Sequence, residues 1–234
     1  MALDEALLQA SEQSGQATLR FYTWAEPTLS LGHFQSAADR DLHSPSRACP
    51  LVRRASGGGA ILHHQELTYS IVWPLAGSLT KSADLYDLVH RTLIASLADC
   101  GVPAGLYQDV AACAPTPEPK VADSFLCFER RTCADIVSQG VKIVGSAQRR
   151  RKSAILQHGS ILLAKSPFAP ELPGILEAAQ TNIEVPNFAA AWTTALAAAL
   201  GLATCEGGLT EAERLLAEDQ TASRFAAPAY VYRR

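Results

Sequence analysis

Charge is scarce in this chain, and neither sign dominates. Only 18% of the 234 residues are charged, and the formal net charge is -3 at pH 7. A balance so near neutrality excludes the basic footprint of a nucleic-acid-binding domain. Long hydrophobic runs are missing too. The best, residues 189–200, is alanine-rich and too short to cross a bilayer. The start, Met1-Ala2-Leu3-Asp4-Glu5, lacks the basic residues and apolar core of a secretory signal. Together these features imply a cytoplasmic protein with no membrane and no nucleic-acid partner. The six cysteines (Cys49, Cys100, Cys113, Cys127, Cys133 and Cys205) contain no C-x-x-C pair and form no zinc-spaced cluster with histidine. Free thiols are expected, one of them reactive, and no metal site. Neither G-x-x-x-x-G-K-[ST] nor G-x-S-x-G occurs, which excludes P-loop nucleotide hydrolysis and the α/β-hydrolase elbow.

What is present is apolar: 48% of residues, enough for a substantial core. The most distinctive stretch is Arg53-Arg54-Ala55-Ser56-Gly57-Gly58-Gly59-Ala60, set between the apolar pairs Leu51-Val52 and Ile61-Leu62 and followed by His63-His64. It reads as strand, tight glycine loop, strand. Glycines reach positive φ and let a ligand approach bare backbone N–H groups. Arginines beside them offer planar donor forks to carboxylate or phosphate. An anion cradle and a plain glycine-rich hairpin with a basic edge both remain open at this point.

The periodicities place the other elements. Leu3, Ala6, Leu7 and Ala10 make an amphipathic helix over residues 1–14, stopped by Gly15. Strands are expected over 18–24, 29–31 and 67–73, and Ser36 or Asp39 can cap a short helix between them. Ser82–Asp99 is a helix with Ser82 at its cap, an apolar stripe of Leu85, Leu88, Val89, Leu93 and Leu97, and Gly101 at its end. Pro115, Pro117 and Pro119 mark an irregular, exposed loop over 111–120. Gln139-Gly140 is a hairpin turn between strands 135–138 and 141–146. A basic turn, 149–152, leads to a strand over 154–163, broken at His158-Gly159. Helices follow over 173–179, over 188–200 with Asn187 as cap, and from the capping box at Thr210 to about Gln220. An edge strand over 230–232 closes the chain. No linker divides it, so residues 1–234 form a single domain of α+β class, a mixed, largely antiparallel sheet with packed helices.

Three side-chain types carry possible chemistry. Lys142 alternates with Val141 and Ile143, so spacing alone puts it on a solvated face; the alternative is a lysine turned into a pocket beside the small Gly145-Ser146-Ala147. Cys127, between Leu126 and Phe128, is either a buried inert thiol or a nucleophile activated by Arg130, Arg131 or Lys142, with Cys133 as a competitor. His63, His64 and His158 read as hydrogen-bonded structural residues.

Residues 53–63 resemble the R-R-x-[ST]-G-G-G-x-[VI]-x-H signature of the biotin/lipoate protein ligase superfamily. Lys142 with Gly145-Ser146-Ala147-Gln148 is similar to its K-x-x-G-[SA]-A segment, and His158-Gly159-Ser160-Ile161-Leu162-Leu163 to the H-G-[ST]-[IL]-L-L strand after it. Ala2–Leu8, Leu19–Trp24 and Ser30-Leu31-Gly32 fit the N-terminal pattern. The resemblance implies a catalytic domain of the class II aminoacyl-synthetase/biotin-ligase type, which joins a lipoyl, octanoyl or biotinyl group to one lysine of a carrier domain. Cys127-Phe128-Glu129, at its spacing from Asp135-Ile136 and Lys142, is similar to the nucleophilic-cysteine segment of the octanoyltransferases. The G-x-N-D-[IL] segment typical of lipoate ligases is here Thr132-Cys133-Ala134-Asp135-Ile136, without the asparagine. The resemblance therefore implies an octanoyl or lipoyl transferase working through a Cys127 thioester, with Lys142 beside it. Substrate would be held by Arg53, Arg54, Ser56, Gly57, Gly58, Gly59, His63, Gly145, Ser146, Ala147, His158 and Gly159. A transferase of this kind requires no cofactor, whereas the alternative, an adenylating lipoate ligase, requires ATP and Mg; a second alternative is a non-catalytic lipoate-binding homologue. The implied partners are an acyl carrier protein or a lipoyl carrier domain, of the glycine-cleavage H protein or 2-oxoacid dehydrogenase E2 type. The carriers are acidic around their lysine, which makes Arg130, Arg131 and 149–152 the expected docking surface of a monomeric enzyme.

Overall fold

The computed structural model describes residues 1–75, 81–110 and 124–233. The proline-rich loop expected over 111–120, and Cys113 with it, lies outside the described residues. Two nine-residue strands, β5 (Glu66–Pro74) and β9 (Ala154–Leu162), run antiparallel along their full length, from Glu66 opposite Leu162 to Pro74 opposite Ala154. β1 (Thr18–Tyr22) adds to the free edge of β5. β8 (Val141–Arg150), β7 (Ile136–Ser138) and β6 (Gly105–Leu106) extend the sheet beyond β9, every pairing antiparallel. Gln139 and Gly140, at φ 48° and 77°, make the β7–β8 turn. Two successive positive φ values are what a twisted two-residue hairpin needs, and glycine meets the second without strain.

A smaller sheet has the order β3 (Leu51–Arg53), β2 (Thr28–Leu31), β4 (Ile61–His63). β2 pairs in parallel with β3 and antiparallel with β4. The glycine-rich stretch is therefore not a hairpin loop: its two flanking strands lie on opposite sides of β2, and the loop crosses the end of that strand.

Alternation along the long strands feeds two cores. Leu67, Tyr69 and Ile71 of β5, with Ile155 and Ile161 of β9, pack beneath α2 (Ser82–Asp99) and α5 (Val185–Leu200) against Leu85, Val89, Leu93, Phe188 and Trp192. Val72, Ala154 and Leu156 face the other way, onto Leu7 and Leu8 of α1 (Ala2–Ser14). A sheet covered on both faces needs near-continuous apolar strands, which is the sequence of β5. α1 also packs on α6 (Glu211–Gln220), which starts at the expected capping box: Thr210 Oγ1 accepts from the Glu213 N–H at 3.2 Å. α3 (Tyr107–Val110) and α4 (Ile175–Ala179) are short connecting helices. No helix among the described residues is long and apolar enough to cross a membrane.

Four local expectations change. β9 runs unbroken through His158-Gly159; a Cβ at Gly159 would lie 2.5 Å from both Ser146 Oγ and Tyr69 Cε1, so glycine serves close packing there and not a break. Residues 228–231 form a short helix, α7 (Pro228–Val231), with proline in its first turn, instead of an edge strand. Asn187 lies inside α5, which begins earlier because Pro186 fits its first turn. Ser82 is the first residue of α2 and Lys81 holds the cap position.

Candidate active site

Arg53 and Arg54, the first of the distinctive residues, are both buried. Arg53 donates to the carbonyls of Gly32 (2.9 Å) and Gln35 (2.6 Å) on one side, and to Tyr230, Val231 and Arg233 (3.0–3.2 Å) on the other. It fastens the C-terminal helix α7 to the end of β2 and does not line the cavity described below. Arg54 donates to the carbonyls of Ser30 (3.0 Å), Gly57 (2.8 Å) and Gly59 (2.6 Å), so it sits inside the glycine loop and shapes it. Burial pushes Arg54 down to about 10, with neighbouring Cys127 opposing the shift, so the guanidinium stays charged at neutral pH. The expected forks for a ligand anion are thus turned on backbone carbonyls.

The glycines answer to contacts of different kinds. Gly58 has φ +96°, where only glycine is unstrained, and its missing Cβ would stand 3.9 Å from Cys127 Sγ. At Gly59 a Cβ would come within 3.1 Å of the Phe125 carbonyl and 3.2 Å of the Cys127 N. Two hydrogen bonds hold these segments together: Ala60 N–H to Phe125 O (2.9 Å) and Cys127 N–H to Ala60 O (2.7 Å). A cysteine 67 positions along is thereby pinned beside the loop. Outside the loop, Gly32 is the tightest point, since a Cβ there would fall 2.0 Å from Gly58 O. Gly32→Ala is expected to push the loop away from Cys127, costing about 1–3 kcal/mol as overpacking does; thermal unfolding and acyl-transfer rate would both report it.

Lys142 is buried, contrary to its strand-alternation expectation as a solvated residue. Its Nζ pairs with Asp135 Oδ2 at 2.9 Å and donates to the carbonyls of Cys127 (3.2 Å) and Arg130 (3.1 Å). Three donors meet three acceptors, so a charge can stay buried here. Asp135 also accepts the Thr132 N–H at 2.6 Å. The pair thus ties the turn Cys127–Glu129 to the sheet. Gly145 makes room for this: a Cβ there would lie 3.0 Å from Lys142 Cε.

Cys127, Lys142, Arg54, Gly57 and Gly58 all line one cavity of about 360 Å³. Phe128, Gly145, Ser146 and Ala147 also line it, as do Tyr22, Ile61, His63, Thr68, His158, Gly159 and Ser160, with Met1, Thr132 and Asp135. Arg53, Ser56 and Gly59 stand behind this surface. Ser56 Oγ meets His158 Nε2 at 2.6 Å, linking the loop to β9. His63 Nδ1 bonds Glu66 Oε1 at 2.7 Å and its ring stacks on Trp24 at 4.1 Å. His64 bonds Ser166 and lies outside the cavity lining. Cys133 is exposed and does not line the cavity.

A network that the sequence did not suggest stands behind Ser146. Tyr69 Oη (2.6 Å) and His90 Nε2 (2.7 Å) both bond Ser146 Oγ, and His90 Nδ1 lies 2.8 Å from the Ala134 carbonyl. A carbonyl only accepts, so Nδ1 carries the proton and Nε2 accepts from Ser146. Burial pushes His90 down from 6.5 to about 4, which keeps it neutral and fixes that direction. Burial pushes His158 down to about 4 as well. Unfolded, both histidines regain ordinary values and take up protons near pH 6.5. Stability from these groups is therefore whole above that pH and falls as pH drops towards 4, with about 3 kcal/mol from His90 alone. Denaturant titrations at pH 7 and pH 4.5 are expected to show the loss, and His90→Gln to reduce it.

Among the described residues no group of three His, Cys, Asp or Glu side chains is placed to hold a metal ion. The fold and the motif residues around this cavity define a class, and comparison with known proteins agrees: the lipoyl protein ligase A/B catalytic domain family model matches residues 1–185, and the chain belongs to that family. Among its relatives, octanoyltransferase LipM of Brevibacillus brevis is 32% identical over 263 residues, covering 100% of this chain and 94% of the relative. Octanoyltransferase LipM of Carboxydothermus hydrogenoformans is 39% identical over 172 residues, 70% of this chain and 60% of the relative. In structure, a bi-partite lipoate protein ligase from Thermoplasma acidophilum superposes with TM-score 0.75 at 18% identity, covering 99% of this chain and 89% of the other. That likeness carries the fold alone.

Proposed function

We propose that this protein is an octanoyltransferase that moves an octanoyl group from an acylated carrier onto the lysine of a lipoyl carrier domain, through a thioester on Cys127. The observation that carries the reading is the placement of Cys127 Sγ on the cavity wall beside the glycine loop, in a chain whose relatives are octanoyltransferases. In the first step the Cys127 thiolate attacks the donor thioester; the new C–S bond forms, the carrier's C–S bond breaks, and the carrier leaves as a thiolate that takes up the proton Cys127 had released. In the second, the uncharged lysine amine attacks the acyl-enzyme, a C–N bond replaces the C–S bond, and the amine proton passes to the departing sulfur. Backbone N–H groups of the glycine loop would stabilise the oxyanion of each step. Lys142 acts chiefly as a positioning residue, because its donors hold the turn that carries Cys127. The apolar part of the cavity would take the acyl chain, each buried CH₂ contributing about 0.8 kcal/mol.

The signature around Arg53 and Arg54 is common to adenylating ligases and transferases, and its guanidinium groups are turned on carbonyls of the chain itself, so the choice of transfer rests on Cys127. No cofactor is required on this reading. Docking of an acidic carrier would fall to Arg131, Arg150 and Lys152, since Arg149 and Arg151 are engaged by Glu5 and Glu12. The test is turnover: octanoyl-carrier and unmodified lipoyl domain, mixed with the protein without ATP, should yield octanoyl-lysine. Turnover only with free acid, ATP and Mg would overturn the reading in favour of a ligase.

A further inference from the structure

A second cavity, of about 420 Å³, abuts the first. The two share Phe128 and Lys142, and Cys127 lies on the first just beside Phe128. The second cavity's apolar wall comes from Phe128, Val141 and Leu172, while the carboxylates of Glu129 and Glu171 line its polar part. Glu171 Oε1 also meets His43 Nε2 at 2.7 Å. One cation, Arg131, belongs to the lining and stands 5.8 Å over the Tyr107 ring. Lys142 adds no net charge, because Asp135 neutralises it at 2.9 Å. Glu129 and Glu171 against Arg131 leave an excess of one carboxylate in the lining, with Glu171 also held by His43. A partly apolar hollow with carboxylates in its lining suits a long aliphatic chain ending in an ammonium group.

We infer that this second cavity receives the acceptor lysine of the carrier domain and delivers its amine past Phe128 to the acyl group on Cys127. The inference rests on the proposed thioester route. It gives the two half-reactions different binding sites: the acyl chain in the first cavity, the acceptor side chain in the second. The carboxylates would attract the charged lysine at the entrance, and the apolar wall beyond them would favour loss of its proton before attack.

The half-reactions separate the possibilities. Leu172→Trp should fill the second cavity without touching the first. Octanoyl-enzyme formation from octanoyl-carrier, followed by intact mass, should keep its rate, and transfer from the isolated octanoyl-enzyme to the lipoyl domain should slow at least tenfold. Because Leu172 is partly buried against its own core cluster, the exposed pair Glu129→Gln with Glu171→Gln provides a second arm that leaves packing alone. That pair should raise KM for the lipoyl domain severalfold and leave octanoyl-enzyme formation unchanged. A small amine acceptor, Nα-acetyl-lysine amide, should show the same responses, since it carries the side chain without the docking surface. Equal slowing of both half-reactions, or of neither, in both variants overturns the inference while the thioester route stands. A parent protein that forms no octanoyl-enzyme overturns the thioester route and the inference with it.

Discussion

Cys127→Ala is expected to abolish octanoyl transfer, lowering the rate on the order of a thousandfold or more while the fold is kept. The side chain is small, half-exposed to the cavity, and the hydrogen bonds that place it run through its backbone N–H and carbonyl. Alanine preserves these bonds, so circular dichroism and the unfolding midpoint should change little, by less than about 1 kcal/mol for a substitution without burial loss. Cys127→Ser is the sharper companion: it keeps shape and donor but forms an oxygen ester slowly, so it should trap little octanoyl-enzyme. By contrast Cys133→Ala, at an exposed position that does not line the cavity, should retain activity. Loss of transfer in Cys133→Ala with retention in Cys127→Ala would reverse the assignment.

The second large effect is expected at Lys142. Lys142→Ala leaves Asp135 as a buried carboxylate without its cation, and frees the Cys127 and Arg130 carbonyls. Breaking a buried pair on one side costs about 3–5 kcal/mol. For a chain of this size that is a drop in melting temperature on the order of 10 °C. Activity should fall too, but instability alone would explain that fall. The double change Lys142→Met with Asp135→Leu separates the causes. Removing both charges together should restore most of the stability, since apolar pairs of similar volume replace buried ion pairs at little cost. The turn bearing Cys127 would still lack its anchor, so transfer should stay low. A double variant that is both stable and fully active would show that Lys142 does not position the nucleophile.

How far the sequence reached depended on whether the decisive neighbours were near in the chain. α2 was legible along its length though not at its N-cap, because its stripe repeats at helical spacing and Gly101, at φ +77°, follows its end. The β7–β8 hairpin was legible from Gln139-Gly140. The small sheet was not: its centre, β2, ends at Leu31 and pairs in parallel with β3, which starts only at Leu51, and no local pattern reports a parallel partner. Lys142 looked like a solvated residue because alternation describes faces, not partners. Asp135, which makes its burial possible, stands across the hairpin, and the two carbonyls it holds are set by a turn with no periodic signal. Arg53 drew attention as a free fork for the same reason, since its carbonyl acceptors lie up to 180 residues away, whereas Arg54 turns on Gly57 and Gly59 of its own loop, whose non-periodic course gives no signal. His90 went unseen although a trace existed. It falls on the buried face of α2 with Leu93 and Leu97, where a histidine needs a partner, and that partner is Ser146 inside a recognised motif.

The basic run 149–152 shows the same limit on charge patterns. Four consecutive cations suggested a docking surface, yet Arg149 lies 3.0 Å from Glu5 and Arg151 lies 2.9 Å from Glu12, both acidic residues supplied by α1. These pairings divide the run, leaving Arg150 and Lys152 exposed. Exchanging these two for glutamate is therefore expected to weaken acceptance of an acidic carrier, with KM rising severalfold and more steeply at low salt.

The central claim is a covalent octanoyl-Cys127 intermediate. It is tested most directly by mixing the protein with octanoyl-carrier alone, omitting the acceptor, and measuring intact mass followed by peptide mapping. The predicted result is a single octanoyl adduct on the Cys127 peptide that hydroxylamine removes and that transfers to lipoyl domain on its addition. No adduct on Cys127, in a preparation that still turns over octanoyl-carrier to octanoyl-lysine, would contradict it.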